Sequence, residues 1–273
     1  MAFDIVSDLH IDAWINFTSD IHKTRKQINT FIQKIIPTIP SRVLIIAGDL
    51  GHYNFQNEVL LQEFKKSYRH ILLVFGNHDL YLIDNFNRKL YNDDSLLRWN
   101  EMRQKAEAIE GIKVLEGDRI TIEGITFGGT GGWYDFSYGQ TYLDATNELI
   151  KEQWHKSSND SKKIFGKPAN VIDFSNVEKR KLVTVIQKSD VIITHIPPLI
   201  AKLFDVKYEG DLLNSFYYMD IGDHVHSLNG KIWVSGHVHL RNDIKANGCE
   251  FLNASIGYPL EGRLEKKQIV TIG

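Results

Sequence analysis

Lys231-Ile232-Trp233-Val234-Ser235-Gly236-His237-Val238-His239 joins an apolar run to a pair of imidazoles. The first five residues read as a buried strand. A Gly-His-x-His at its end sets two histidines close together at the rim of a sheet. Imidazole is the commonest protein ligand for transition metals. Four more strand-like runs end in residues of the same kind. Asp8 and His10 follow Phe3-Asp4-Ile5-Val6, and Asp49 follows Val43 to Gly48. Asn77, His78 and Asp79 follow Ile71 to Gly76, and His195 follows Val191 to Thr194. In open α/β sheets, sites are built beyond the carboxyl ends of strands, so this pattern predicts an α/β fold with one composite site.

The segments between these runs support that fold class. Apolar positions from Ile21 to Ile36 recur at helical spacing, with Ser19 or Asp20 as a cap and Pro37 as a stop. Phe55 to Tyr68 and Asp94 to Ile109 read as further helices. Strand, helix, strand in succession implies parallel pairing with right-handed crossovers. After Gly111 the runs shorten. Ile112–Leu115, Arg119–Ile122 and Ile125–Gly128 read as strands, with a tight turn at Glu123-Gly124. Trp133 to about Ser175 is polar, aromatic and irregular. Val177 to Lys188 is helical again, and Asn247-Gly248 marks a hairpin. The expected architecture is two packed mixed β-sheets with helices outside. One domain spans 1–273, with a small cap insertion over 133–175.

Composition bounds the function classes. A chain of 273 residues that is 42% hydrophobic has enough material for a full core. A formal net charge of −2 argues against nucleic acid or an anionic membrane as a bulk partner. The single cysteine, Cys249, cannot form a disulfide within the chain and fits a reducing compartment. No apolar run approaches the roughly 18 residues of a spanning helix. Met1-Ala2 runs into the first strand without a leader-like pattern. The expectation is a cytoplasmic protein with no membrane partner.

Seven residues in the five blocks offer ligand atoms. Asp8, Asp49 and Asn77 supply oxygen, and His10, His195, His237 and His239 supply nitrogen. That mixture suits Mn, Fe or Zn rather than Ca. Seven ligands are too many for one catalytic ion and about right for two that share a carboxylate.

Asp8-x-His10, Gly48-Asp49, Gly76-Asn77-His78-Asp79, His195 and Gly236-His237-x-His239, in that order, resemble the five blocks of the calcineurin-like metallophosphoesterases. The resemblance covers nearly the whole chain. One block departs locally, reading Thr194-His195 where many members have Gly-His. The Leu80-Tyr81-Leu82 continuation and Gly132-Trp133-Tyr134-Asp135 look like a bacterial subgroup of small phosphoesterases. The resemblance implies a sandwich of two mixed sheets, with Asp8, His10 and His239 on one metal. It puts Asn77, His195 and His237 on the other, and Asp49 between them. It makes His78 a substrate-facing catalytic residue whose imidazole Asp79 orients. The implied reaction is hydrolysis of a small phosphoester, most of all a phosphodiester, by a metal-bridging hydroxide.

Singly, the blocks have plainer readings. Asp8-Leu9-His10 could be a polar strand end, Gly48-Asp49 a turn, Asn77-His78-Asp79 a hydrogen-bonded loop, and His195 a core histidine. Their joint occurrence favours the metal site. His22, His52, His70 and His155 have no block context and read as surface or core, although His52 sits three residues after Asp49 on the same loop. Asp223-His224-Val225-His226 falls on a helical stretch, where residues two apart do not share a face. Trp133 and Tyr134 are candidate substrate-binding aromatics, with a small core inside the cap as the alternative. A phosphomonoesterase, a nuclease or a non-catalytic binding scaffold of the same fold remain rival functions. The nuclease needs a nucleic-acid groove, and the scaffold has no reason to keep His78 with a full ligand set.

Overall fold

The computed structural model describes residues 1–262, 264 and 268–273. Its eleven named strands form two sheets. The first sheet holds β1 (Phe3–Val6), β2 (Val43–Ala47), β3 (His70–Val74), β4 (Ile112–Val114) and β11 (Val270–Ile272), in the order β11-β1-β2-β3-β4. The second holds β5 (Arg119–Ile122), β6 (Ile125–Gly129), β7 (Val191–Ile193), β8 (Ile232–Ser235), β9 (Asn242–Ala246) and β10 (Cys249–Asn253), ordered β5-β6-β7-β8-β10-β9. β1 to β4 are parallel, as are β6, β7, β8 and β10, while β11, β5 and β9 run antiparallel to their neighbours. Both sheets are therefore mixed, as expected.

Side chains alternate across a strand, and this divides the core in two. Phe3, Ile5, Val43, Ile45, Leu72 and Val74 face between the sheets, against Phe127, Val191, Ile193, Val234 and Leu252. The interleaved Val6, Leu44, Ile46, Ile71 and Leu73 face the helices. Those helices start where their caps are. Asp20 accepts from the backbone of His22 and Lys23 ahead of Ile21–Ile35, and Asp94 accepts from Leu96 ahead of Ser95–Glu107. Both hairpins carry left-handed turn residues, Glu123-Gly124 and Asn247-Gly248, as a two-residue turn requires. No described helix is long and apolar enough to cross a membrane.

One stretch differs from expectation. Residues 133–175 are not irregular. They contain helices Ser137–Leu143, Asn147–Ser157 and Asp160–Lys163, and the helix ending at Lys188 begins at Val171. The helices are short, and Tyr138 packs on Phe204 and Tyr218 while Trp154 packs on Phe136, so they leave no long apolar stripe to read.

Candidate metal centre

The two sheets meet at their ligand-bearing ends. Ser7 at the end of β1 bridges to Ser255 beyond β10. The amide of Asp8 donates to Gly48 O, that of His10 to Asp49 O, and that of Gly236 to His195 O. The His237 amide donates to Asp8 and the Asp49 amide to Asp79, which joins these loops to one another and to the loop after β3. Among the described residues, five of the eleven non-glycine residues with positive φ are predicted ligands: Asp8, His10, Asp49, His237 and His239. A left-handed residue at a strand end turns the next side chain back toward the neighbouring strand, and such conformations gather at functional sites. The approach is close. A Cβ on Gly76 would lie 2.1 Å from Asp49 Oδ1, and one on Gly236 would lie 2.7 Å from Asp8 Oδ2.

All seven predicted ligands converge. On one side His10 Nε2 and His239 Nε2 stand 3.1 Å apart, with His239 Nε2 3.3 Å from Asp8 Oδ1. On the other, Asn77 Oδ1 lies 3.0 Å from His195 Nε2 and 3.1 Å from His237 Nδ1. Asp49 connects them. Its Oδ1 accepts from the His78 amide, while its Oδ2 is 3.7 Å from His10 Nε2 and 3.4 Å from His195 Nε2. Ligand atoms of Asp8, His10 and His239 lie within 4.8 Å of one another, as do those of Asp8, Asp49 and His195 and those of His10, Asp49 and His78.

The outer nitrogens fix which face of each imidazole is available. His195 Nδ1–H donates to Ala47 O at 2.8 Å, and His237 Nε2–H donates to Phe216 O at 2.9 Å. His239 Nδ1–H donates to the Glu261 carboxylate at 2.9 Å. The lone pairs of His195 Nε2, His237 Nδ1 and His239 Nε2 are left for the centre, the arrangement by which proteins orient metal-binding histidines. The donor set therefore fits transition-metal cations. Glu261 has no block context in the sequence and could not be found there.

Electrostatics follow from burial. Desolvation opposes ionisation of Asp8, yet the charge and hydrogen bond of His239 hold its carboxyl far below the usual range, and burial is likewise outweighed for Asp49 by His195 and His78. Burial pushes His10 down to about 4 despite Asp49 and Asp8. His195 and His239 resist burial because Asp49 and Asp8 face them, and they rise to about 9 and about 10, so a cation bound there would displace the proton from the facing nitrogen. Desolvation lowers His78 well below an ordinary histidine, and burial followed by the charge of His195 lowers His237.

His78 and Asp79 do not form the expected pair. The His78–Leu80 turn is 3₁₀, so successive side chains diverge by about 120°. Asp79 turns under the loop and accepts from the amides of Gly76 (2.8 Å), Asp49 (2.9 Å) and Leu50 (3.0 Å). Burial and the charge of Asp49 push it up to about 6. The imidazole of His78 is oriented by His52 instead, whose Nε2 lies 3.0 Å from His78 Nδ1. His52 Nδ1 is 2.6 Å from Asp12 Oδ2. Burial opposes ionisation of Asp12, but the His52 hydrogen bond holds it below the usual carboxylate range. An ionised carboxylate only accepts, so the proton order is His52 Nδ1–H to Asp12 and His78 Nδ1–H to His52. His78 Nε2 then faces outward, 3.3 Å from the Tyr258 hydroxyl. Tyr258 also stacks on His10, with ring centroids 4.4 Å apart. Asp79→Ala strands three buried amides. It is expected to destabilise the protein by roughly 3–5 kcal/mol in urea denaturation; a loss under about 1 kcal/mol would contradict this placement.

Trp133 and Tyr134 are not a substrate-facing wall. They are 1% and 0% exposed. Trp133 packs on Tyr134, Phe75 and Phe174, which realises the small-core alternative. Phenols beside the centre that do reach solvent include Tyr258, already described, and Tyr217, 36% exposed and 5.1 Å from the His237 ring. His224 and His226 lie on the separate 3₁₀ helix Gly222–Ser227.

Comparison with known proteins gives the family and the fold. The sequence profile of the calcineurin-like phosphoesterases matches residues 13–241. Asp8 and His10 precede the matched stretch, and it is the fold that brings them to the other blocks. The chain is similar to a crystal structure of phosphopantetheinyl hydrolase from Mycobacterium tuberculosis, with a TM-score of 0.72, 16% identity, and 98% of this chain and 95% of that one covered. A putative 5'-nucleotidase from Staphylococcus aureus matches at TM-score 0.37 and 13% identity, covering 94% of this chain and 48% of that one. An archaeal phosphodiesterase matches at TM-score 0.34 and 14% identity, covering 100% and 99%. No curated protein matches the chain.

Proposed function

The chain belongs to the calcineurin-like phosphoesterase family and is a phosphoester hydrolase, and we propose on that premise that it cleaves a phosphodiester with two transition-metal ions, Mn, Fe or Zn. The observation that carries the reading is Asp49 Oδ2, set between His10 Nε2 and His195 Nε2 at 3.7 and 3.4 Å. A single carboxylate oxygen facing two ligand groups is what a shared ligand requires. Asp8, His10 and His239 would hold one ion and Asn77, His195 and His237 the other. When bound, such cations supply Lewis acidity, lowering the pKa of water and neutralising phosphate oxygens.

The chain's own residues do the rest. His78 turns its Nε2 outward beside the centre; in the tautomer just described that nitrogen carries a lone pair, so it would first take up a proton from water and then, as imidazolium, hydrogen-bond and protonate the leaving oxygen. Asp12 and His52 hold its tautomer, and Tyr258 closes the cleft over His10. The groups recorded around His78 are the imidazoles of His10 and His52 and the phenols of Tyr81 and Tyr258. The Arg98 guanidinium donates to the carbonyls of His78, Tyr81 and Gly51. The diester reading follows the tendency of the small bacterial phosphoesterases that the chain resembles. The buried lone thiol of Cys249 supports a cytoplasmic setting.

The test is hydrolysis with added Mn²⁺ by wild type and Asp49→Ala. Substrates are bis-p-nitrophenyl phosphate, p-nitrophenyl phosphate, single-stranded DNA and a phosphopantetheinyl ester, the last because a phosphopantetheinyl hydrolase shares this fold. Higher kcat/KM on a diester, dependent on Asp49, is expected. Preference for the monoester would replace this reading with a phosphomonoesterase, and preference for DNA with a nuclease. No turnover by a protein that binds metal would leave the scaffold.

A further inference from the structure

Asp160 lies far from every ligand block in the sequence, on the short helix Asp160–Lys163 within the 133–175 insertion. It is 3% exposed and has no cationic partner among the described residues. Its carboxylate gathers three donors. Asn77 Nδ2 donates to Oδ1 at 2.8 Å, Tyr81 OH donates to the same oxygen at 2.5 Å, and Tyr134 OH donates to Oδ2 at 2.7 Å. Trp154 Nε1 braces the Tyr134 hydroxyl from behind at 2.8 Å. The neighbouring Lys163 ties the helix down, its carbonyl accepting from the Leu82 amide at 2.8 Å.

An amide side chain has two faces of nearly equal shape, and only one of them can ligate a cation. A carboxylate has no proton to give. Asn77 must therefore turn its NH₂ toward Asp160 and its carbonyl oxygen toward His195 and His237, at 3.0 and 3.1 Å. We infer that Asp160 is a positioning residue that locks Asn77 as an oxygen ligand, so that the insertion builds one of the two cation sites from behind. This rests on the two-metal reading above. It gives the insertion a role distinct from covering substrate, and it explains why Tyr134 and Trp154 are buried.

The test is a stepwise Mn²⁺ titration of chelator-treated full-length protein, followed by the EPR signal of free Mn²⁺. Wild type is expected to take two ions. Asp160→Ala should weaken one of them about 10–100-fold, the scale of lost outer partners, and leave the other within about twofold. In an Asn77→Asp background the same substitution should cost nothing, because either carboxylate oxygen can then face the cation. If Asp160→Ala does not fold, the exchanged pair Asn77→Asp/Asp160→Asn serves. It should bind the weaker ion about tenfold more tightly than Asn77→Asp alone, in which two carboxylates oppose each other. A wild type that takes one ion overturns the two-metal reading on which the inference rests. A wild type that takes two overturns the inference alone if Asp160→Ala weakens both sites equally, weakens neither, or costs as much in the Asn77→Asp background. A gain below twofold in the exchanged pair does the same.

Discussion

Asp49→Ala is expected to lower kcat/KM for a diester by roughly 10⁴-fold or more, about 5.5 kcal/mol of transition-state stabilisation, and to reduce metal content at both sites. The magnitude follows from what the residue holds. Its Oδ2 faces His10 and His195 together, and its Oδ1 accepts from the His78 amide. Removing it strips a ligand from each side and frees the loop that carries Asn77 and His78. Replacing His239 should differ, since its Nε2 faces Asp8 and His10 and not the Asn77 side, and its loss should deplete one site first. Metal analysis beside steady-state kinetics checks both. A variant that keeps two ions and loses less than about tenfold in rate would show that Asp49 is not shared.

His78→Ala is expected to keep both metals and the fold while losing about 10²–10⁴-fold in rate on substrates with alkoxide leaving groups. The loss should shrink for an activated aryl ester, whose leaving oxygen needs little protonation. The contact chain from Asp12 through His52 to His78 Nδ1 leaves Nε2 as the atom that acts. His52→Ala should then lose part of the same rate with the same dependence on leaving group. A uniform loss across leaving groups would point to substrate positioning. Because His78 lies within ligand distance of His10 and Asp49, loss of metal in His78→Ala would make it a ligand instead.

The ligand blocks were legible because each ends a short apolar run, and a buried strand delivers its last residues to a predictable edge. The continuous apolar runs Val43–Ala47 and Ile71–Val74 likewise mark strands buried on both faces. What could not be read depends on loops meeting across the chain. Asp12 and His52 each lie just beyond a ligand, at His10 and Asp49, and nothing in their spacing shows that they touch. Asp79 misleads by adjacency, because the 3₁₀ turn sends it away from His78. Trp133 and Tyr134 show the limit of composition, since an aromatic pair looks the same whether it lines a cleft or fills a core. Asp160, Tyr258 and Glu261 carry no local signal at all.

The most direct measurement of the central claim is a crystal structure of the Mn²⁺-loaded protein with anomalous scattering recorded at the metal edge. Two peaks about 3.5–4 Å apart are predicted, flanking the Asp49 carboxylate. One should be ligated by Asp8, His10 and His239, the other by Asn77, His195 and His237. A single peak at full occupancy, or a peak that Asp49 does not touch, would contradict the account.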